Sequence, residues 1–91
     1  MFLYILESGS TGRYYVGVTD DLGVRIAQHN AAASNPSRWT RSAGPWHVVY
    51  QREFATRKEA LRAERYVKGM KSRSFIEKLV AGKYSLSSFK D

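Results

Sequence analysis

The sequence predicts an α+β domain: a small, mainly antiparallel sheet of three strands flanked by three helices, in the order ββα-β-αα. Three observations predict it. Two short runs rich in aromatic and β-branched residues, Phe2–Leu6 and Tyr14–Val18, are joined by the turn-forming stretch Glu7–Gly12 (ESGSTG), the pattern of a β-hairpin. A third run of the same kind, Trp46–Phe54, follows Pro45. Apolar residues recur at helical spacing in three further segments, each preceded by a residue able to cap a helix.

The first helix follows the hairpin directly. Thr19 or Asp20 is the expected cap, with Asp21 in the first turn, where a carboxylate complements the helix dipole. Leu22 and Ile26 form a narrow apolar stripe, and Val24 falls outside it. Arg25 and His29 lie beside the stripe, at the rim of whatever it covers. Residues 31–44 form a long connection of low periodicity that carries Arg38, Trp39 and Arg41, and its length favours a functional role.

The second helix starts at Thr56, with a capping box to Glu59. Its expected stripe is Ala60, Ala63, Tyr66, Val67 and Met70, with Leu61 at the edge. Glu64 falls on the apolar side, so its charge needs a partner. Ser74 is the expected cap of the third helix, with a second capping box to Glu77. Phe75, Ile76, Leu79 and Val80 form the apolar face, and Gly82 ends the helix. Residues 1–82 are expected to form one domain and 83–91 a Ser-rich tail.

The chain has 91 residues, enough for a thin core. No apolar run approaches the roughly 18 residues of a membrane span. The chain opens directly into a strand-like run with no basic leader, so cytoplasmic residence without membrane contact is expected. Cysteine is absent, which removes disulfides and thiol catalysis and restricts any zinc site to His, Asp and Glu. Fifteen Lys and Arg against eight Asp and Glu leave a net charge of +7. Ten of the basic residues fall between Arg38 and Arg73, against three acidic ones. Such a surface attracts polyanions, of which nucleic acid is the commonest. Arg38, Trp39, Arg41, Lys68, Lys71 and Arg73 are the candidate contacts.

Several reaction types lack their parts. There is no Walker-type phosphate loop, and His29 and His47 are not at metal-ligand spacing. No serine is marked as a nucleophile. Tyr4, Tyr15, Arg25, His29 and Glu64 remain. Phosphodiester hydrolysis needs a base for water, a cation for the growing phosphoryl charge and a carboxylate able to hold a divalent metal. Taken singly, each residue has a structural explanation as well. A strand tyrosine is ordinarily a core or rim aromatic, and Glu64 with Lys68 is a favourable i,i+4 ion pair.

Taken together, the blocks resemble the GIY-YIG nuclease superfamily, specifically its small single-domain members. Leu3-Tyr4-Ile5 stands at the first signature and Tyr15-Val16-Gly17 at the second. Leu22-Gly-Val-Arg25 with His29-Asn30 is similar to the family's first helix. Pro45-Trp46 leading into Val48-Val49-Tyr50 resembles the third strand. Ala60-Leu-Arg-Ala-Glu64 followed by Lys68 resembles the helix that supplies a metal-binding Glu. The resemblance covers nearly the whole chain. It implies metal-dependent cleavage of DNA, with Tyr4 as general base assisted by Tyr15 and His29, the order among these three being a ranking. It further implies that Arg25 binds the scissile phosphate and that Glu64 holds one Mg²⁺ or Mn²⁺. Two departures stand out. Leu3 replaces the first Gly, and the last helix lacks an Asn that supports the site in several family members. A chain this short has no room for a separate DNA-binding module. Low sequence specificity is therefore expected, on single-stranded or branched DNA, or specificity supplied by a protein partner. A nucleic-acid-binding module with little chemistry and a basic protein-interaction domain are the alternative readings.

Overall fold

The computed structural model describes residues 1–32 and 45–86. Its elements are β1 (Phe2–Ser8), β2 (Tyr14–Thr19), α1 (Leu22–Ala32), β3 (Trp46–Glu53), α2 (Arg57–Gly69) and α3 (Arg73–Val80). The strands form one antiparallel sheet in the order β2-β1-β3. The expected architecture and element order are therefore present. β1 is central, and Leu3, Tyr4, Ile5 and Leu6 are all buried. A strand buried on consecutive residues needs cover on both faces.

The two faces bury different sets. Leu3, Ile5 and Val16 pack with Ala60, Ala63 and Val67 of α2, and with Phe75 and Leu79 of α3. Tyr4, Leu6 and Trp46 pack with Tyr15, Val48, and Leu22 and Ile26 of α1. The sheet thus lies between α1 on one side and α2 with α3 on the other. A bulge makes this division possible. Ile5 pairs with Tyr50 but Leu6 pairs with Val48, so Val49 is the extra residue. One inserted residue reverses the side-chain alternation and turns Val48 and Trp46 to the α1 side.

The helix starts refine the expectations. Asp21, not Thr19 or Asp20, caps α1: its Oδ1 accepts the Val24 N–H at 3.1 Å. Thr19 Oγ1 accepts the Asp21 N–H at 3.1 Å and so holds the cap in place. Thr56 caps α2 as expected, accepting the Glu59 N–H at 3.2 Å. Ser72, not Ser74, caps α3, accepting the Phe75 N–H at 3.1 Å. The cause is a tight reversal. Lys71 takes a left-handed backbone with φ 48°, which closes α2 and brings the next cap forward. Glu77 is consequently left outside a capping box and pairs with Arg73 at 3.3 Å. Gly82 (φ 75°) ends α3 as expected, with the Lys83 N–H donating to Lys78 O at 2.9 Å.

On α2 the buried stripe is narrower than the sequence suggests. Ala60, Ala63 and Val67 face the sheet, whereas Tyr66 and Met70 are 40% and 44% exposed. The small residues let α2 approach closely. Tyr66 lies at the flank, edge-to-face on Phe75 at 5.9 Å. Past α3, Leu86 joins the core, and the Arg52 guanidinium donates to its carbonyl.

Asn30 ties α1 to the start of β3. Its Oδ1 accepts the Trp46 N–H at 2.7 Å and its Nδ2 donates to Trp46 O at 3.3 Å. Because Trp46 is buried, removing the amide leaves its backbone N–H without that acceptor. Asn30→Ala is expected to lower the unfolding free energy by about 1–2 kcal/mol in urea titrations. A loss within experimental error would show that the clasp does not hold α1 on the sheet.

Candidate active site

The site is built around Tyr4. Its Cα partner across the β1–β2 pair is Gly17. A Cβ on Gly17 would lie 2.5 Å from the Tyr4 hydroxyl oxygen and 2.6 Å from Cζ. The tyrosine ring therefore lies across β2 in the space a side chain would fill, and any residue larger than glycine would have to displace it. Since β2 is the edge strand, this arrangement carries the phenol from the centre of the sheet towards its open edge.

Tyr15 stands two residues before Gly17 on the same face. Its ring is 6.2 Å from that of Tyr4 and 6.4 Å, edge-on, from that of Trp46. The hydroxyls of Tyr4 and Tyr15 share a hydrogen bond. Trp46 is 1% exposed and fixes the position of Tyr15 from β3. Arg25 enters from α1, the layer on the Tyr4 side, and is exposed. Glu64 comes from α2 in the opposite layer. It ion-pairs with Lys68 at 3.2 Å, with the Glu64 side chain 22% exposed and that of Lys68 54%.

The electrostatics of Tyr4 bring these residues together. Its pKa is driven well above the ordinary phenol value of 10.0, first by burial, then by the charge of Tyr15. Arg25 pulls it down, while Glu64 and the Tyr15 hydrogen bond push it up. Tyr15, Arg25 and Glu64 thus all act on the Tyr4 phenol, although the four residues come from four elements. Helix geometry alone placed Arg25 at a rim and Glu64 on the inward flank. The gap at Gly17 is what makes room for the Tyr4 ring and its hydroxyl.

His29 lies on α1, and its side chain is outside what the structure describes. Arg38, Trp39 and Arg41 lie outside the described residues. Lys68 and Lys71 line an open groove of about 290 Å³ beside the site, with Tyr14, Tyr15 and Ser72. Arg73 is held between the Tyr14 ring at 4.7 Å and Glu77 at 3.3 Å, so it braces the α3 start against the hairpin. Gly17, Asn30 and Trp46 have supporting roles that the sequence alone did not assign, although each stands in one of the blocks that carry the family resemblance.

Among the described residues, no group of three or more His, Asp or Glu forms a metal cluster. The donor set does not fit a zinc-type cage made by protein alone. It does fit a hard cation held by one carboxylate, with water and phosphate oxygens completing the shell. Glu64, mostly shielded and within electrostatic reach of Tyr4, is the residue that would hold it.

The chain has recognisable relatives among known proteins. Residues 1–78 match the family described as GIY-YIG catalytic domain. A UPF0213 protein of Cupriavidus pinatubonensis is 41% identical over 71 residues, covering 78% of this chain and 76% of the relative. A UPF0213 protein of Streptococcus pneumoniae is 36% identical over 70 residues, covering 77% and 68%. The solution structure of a UPF0213 protein from Bacillus halodurans superposes with a TM-score of 0.55 at 36% identity, covering 90% of this chain and 83% of that one.

The raised pKa of Tyr4 has a measurable sign. In the unfolded chain a phenol ionises near pH 10, whereas the folded protein keeps this proton to higher pH. The stabilisation is complete below about pH 10 and is lost as pH rises through the folded value. Tyr4→Phe keeps the buried ring without the proton. Unfolding free energy measured from about pH 9.5 to 11.5 should fall less steeply in Tyr4→Phe, by up to ~1.4 kcal/mol per pH unit. Parallel profiles for the two proteins would show that the fold does not hold this proton.

Proposed function

The chain belongs to the GIY-YIG family, which places it in a nuclease superfamily, and from that membership and the site around Tyr4 we propose that it is a divalent-metal-dependent DNA endonuclease of low sequence specificity. The observation that carries the reading is the buried Tyr4 phenol beside Tyr15, their rings 6.2 Å apart, with the charges of Arg25 and Glu64 both acting on it. Two phenols, a guanidinium and a carboxylate are the parts that phosphodiester hydrolysis requires.

Each residue has a task. Arg25, exposed on α1, binds the scissile phosphate and stabilises the charge that grows on its oxygens. Glu64 holds the divalent cation, which supplies Lewis acidity to the phosphate and the leaving oxygen when bound. Tyr4 holds its proton in the isolated protein, because burial and Glu64 both oppose ionisation. Neutralising the Glu64 charge removes one of those causes, and Arg25 already acts against them. Tyr4 is thereby brought nearer to releasing its proton to solvent, and the phenolate that results is the form able to accept a proton from the attacking water. Tyr15 orients Tyr4 through the shared hydrogen bond, and Trp46 orients Tyr15. We rank Tyr4 first as base, with Tyr15 and His29 as its assistants. Lys68 and Lys71 contact the DNA backbone, which carries no sequence information. Arg73, Arg38, Trp39 and Arg41 are further contacts to nucleic acid in this reading.

The Glu64–Lys68 ion pair favours a second reading, a nucleic-acid-binding module that does not cut. The absence of Asn from α3 (RSFIEKLV) points the same way. Incubation of single-stranded, duplex and branched DNA with Mg²⁺, Mn²⁺ or EDTA separates the two. The nuclease reading expects metal-dependent cutting that falls by about 10²-fold or more in Arg25→Ala and Glu64→Ala, with DNA binding kept. Wild-type protein that binds every substrate and cuts none in either metal would establish the binding module.

A further inference from the structure

Lys68 sits against the carboxylate assigned above to the metal. Its ammonium lies 3.2 Å from Glu64 Oε2, on a carboxylate whose side chain is only 22% exposed. Among the described residues, Glu64 is the acidic group whose charge reaches Tyr4 from across the sheet edge. A divalent cation binding there therefore competes with the ammonium for the carboxylate. We propose that Lys68 is a built-in counter-ion that competes with the divalent cation for Glu64 and sets the metal affinity of the site. The inference rests on the assignment of Glu64 as metal ligand made above.

The surroundings give the displaced ammonium somewhere to go. Lys68 is half-exposed and also lines the groove shared with Tyr15, Lys71 and Ser72. Its long stem lets the ammonium swing from the carboxylate to the groove without moving α2. A phosphate in the groove would draw Lys68 away from Glu64 and leave the carboxylate open. Metal is then held weakly by the protein alone and more tightly once nucleic acid is seated. Any ligand that favours one state over the other shifts the balance in this way, and the coupling is reciprocal. Lys71 remains on the groove in either state. It sits at a left-handed backbone position that glycine would fill with less strain.

The test is calorimetric titration of Mn²⁺ into the full chain at low ionic strength, without nucleic acid. Wild type, Lys68→Gln, Lys68→Arg, Lys71→Gln and Glu64→Gln are compared. Lys68→Gln should bind Mn²⁺ about three- to fivefold more tightly than wild type, the scale of a partly exposed ion pair. Lys68→Arg should stay near wild type, because it restores the counter-ion. Lys71→Gln removes the same charge from the same groove without freeing Glu64, and should change affinity by less than half as much. An unchanged or weakened affinity in Lys68→Gln overturns the proposal while leaving Glu64 as ligand. So does an equal gain in Lys71→Gln, which would reveal a general field effect. If Glu64→Gln binds Mn²⁺ as well as wild type does, the metal assignment itself fails, and the proposal with it.

Discussion

The structure depends on one steric fact: the Tyr4 ring occupies the space that a side chain at residue 17 would take. The two residues face each other across an antiparallel pair, and a Cβ would come within 2.5 Å of the hydroxyl oxygen. Tyr4 is 1% exposed, enclosed by Leu6, Trp46 and α1, so its ring has little room to retreat. Glycine at this position keeps the phenol lying over an edge strand rather than standing up into the α1 layer. Charges carried by α1 and by α2, Arg25 and Glu64, both act on the hydroxyl held there.

That placement explains the chemistry of the site. Arg25 arrives from one helical layer and Glu64 from the other, with opposite effects on the same proton. Tyr15 shares a hydrogen bond with Tyr4 and is itself braced by Trp46, which the bulge at Val49 turns to the correct side. Asn30 then fixes the backbone of Trp46 to α1. Arg25 and Trp46 are therefore positioned by the same helix. A shift of α1 relative to β3 would disturb the guanidinium and the tyrosine pair together. Apart from Glu64, the site is continuous with the smaller of the two cores.

Much of this was legible in the sequence. The three strands announced themselves through β-branched and aromatic runs, and Thr56 and Gly82 marked helix ends through their chemistry. The flank positions of Arg25 and Glu64 followed from helical spacing. Other features depended on packing that no local pattern records. Ser72 rather than Ser74 caps α3 because Lys71 adopts a left-handed turn, for which lysine gives no signal. Tyr66 and Met70 share the apolar spacing of α2 but lie on its flank, where neither is buried. The bulge at Val49 is invisible in a run of three residues, Val48-Val49-Tyr50, that all suit a strand. The resemblance named Gly17 as part of a motif, and the geometry gives its reason.

A double-mutant cycle in unfolding free energy tests that reason most directly. The two changes are Gly17→Ala and Tyr4→Ala, measured singly and together by urea denaturation at neutral pH. If the Tyr4 ring fills the glycine gap, Gly17→Ala destabilises the wild type strongly but has little effect once Tyr4 is truncated. The coupling should be on the order of 1–3 kcal/mol, as for residues in direct contact. Additive losses, with Gly17→Ala equally harmful in both backgrounds, would contradict the account.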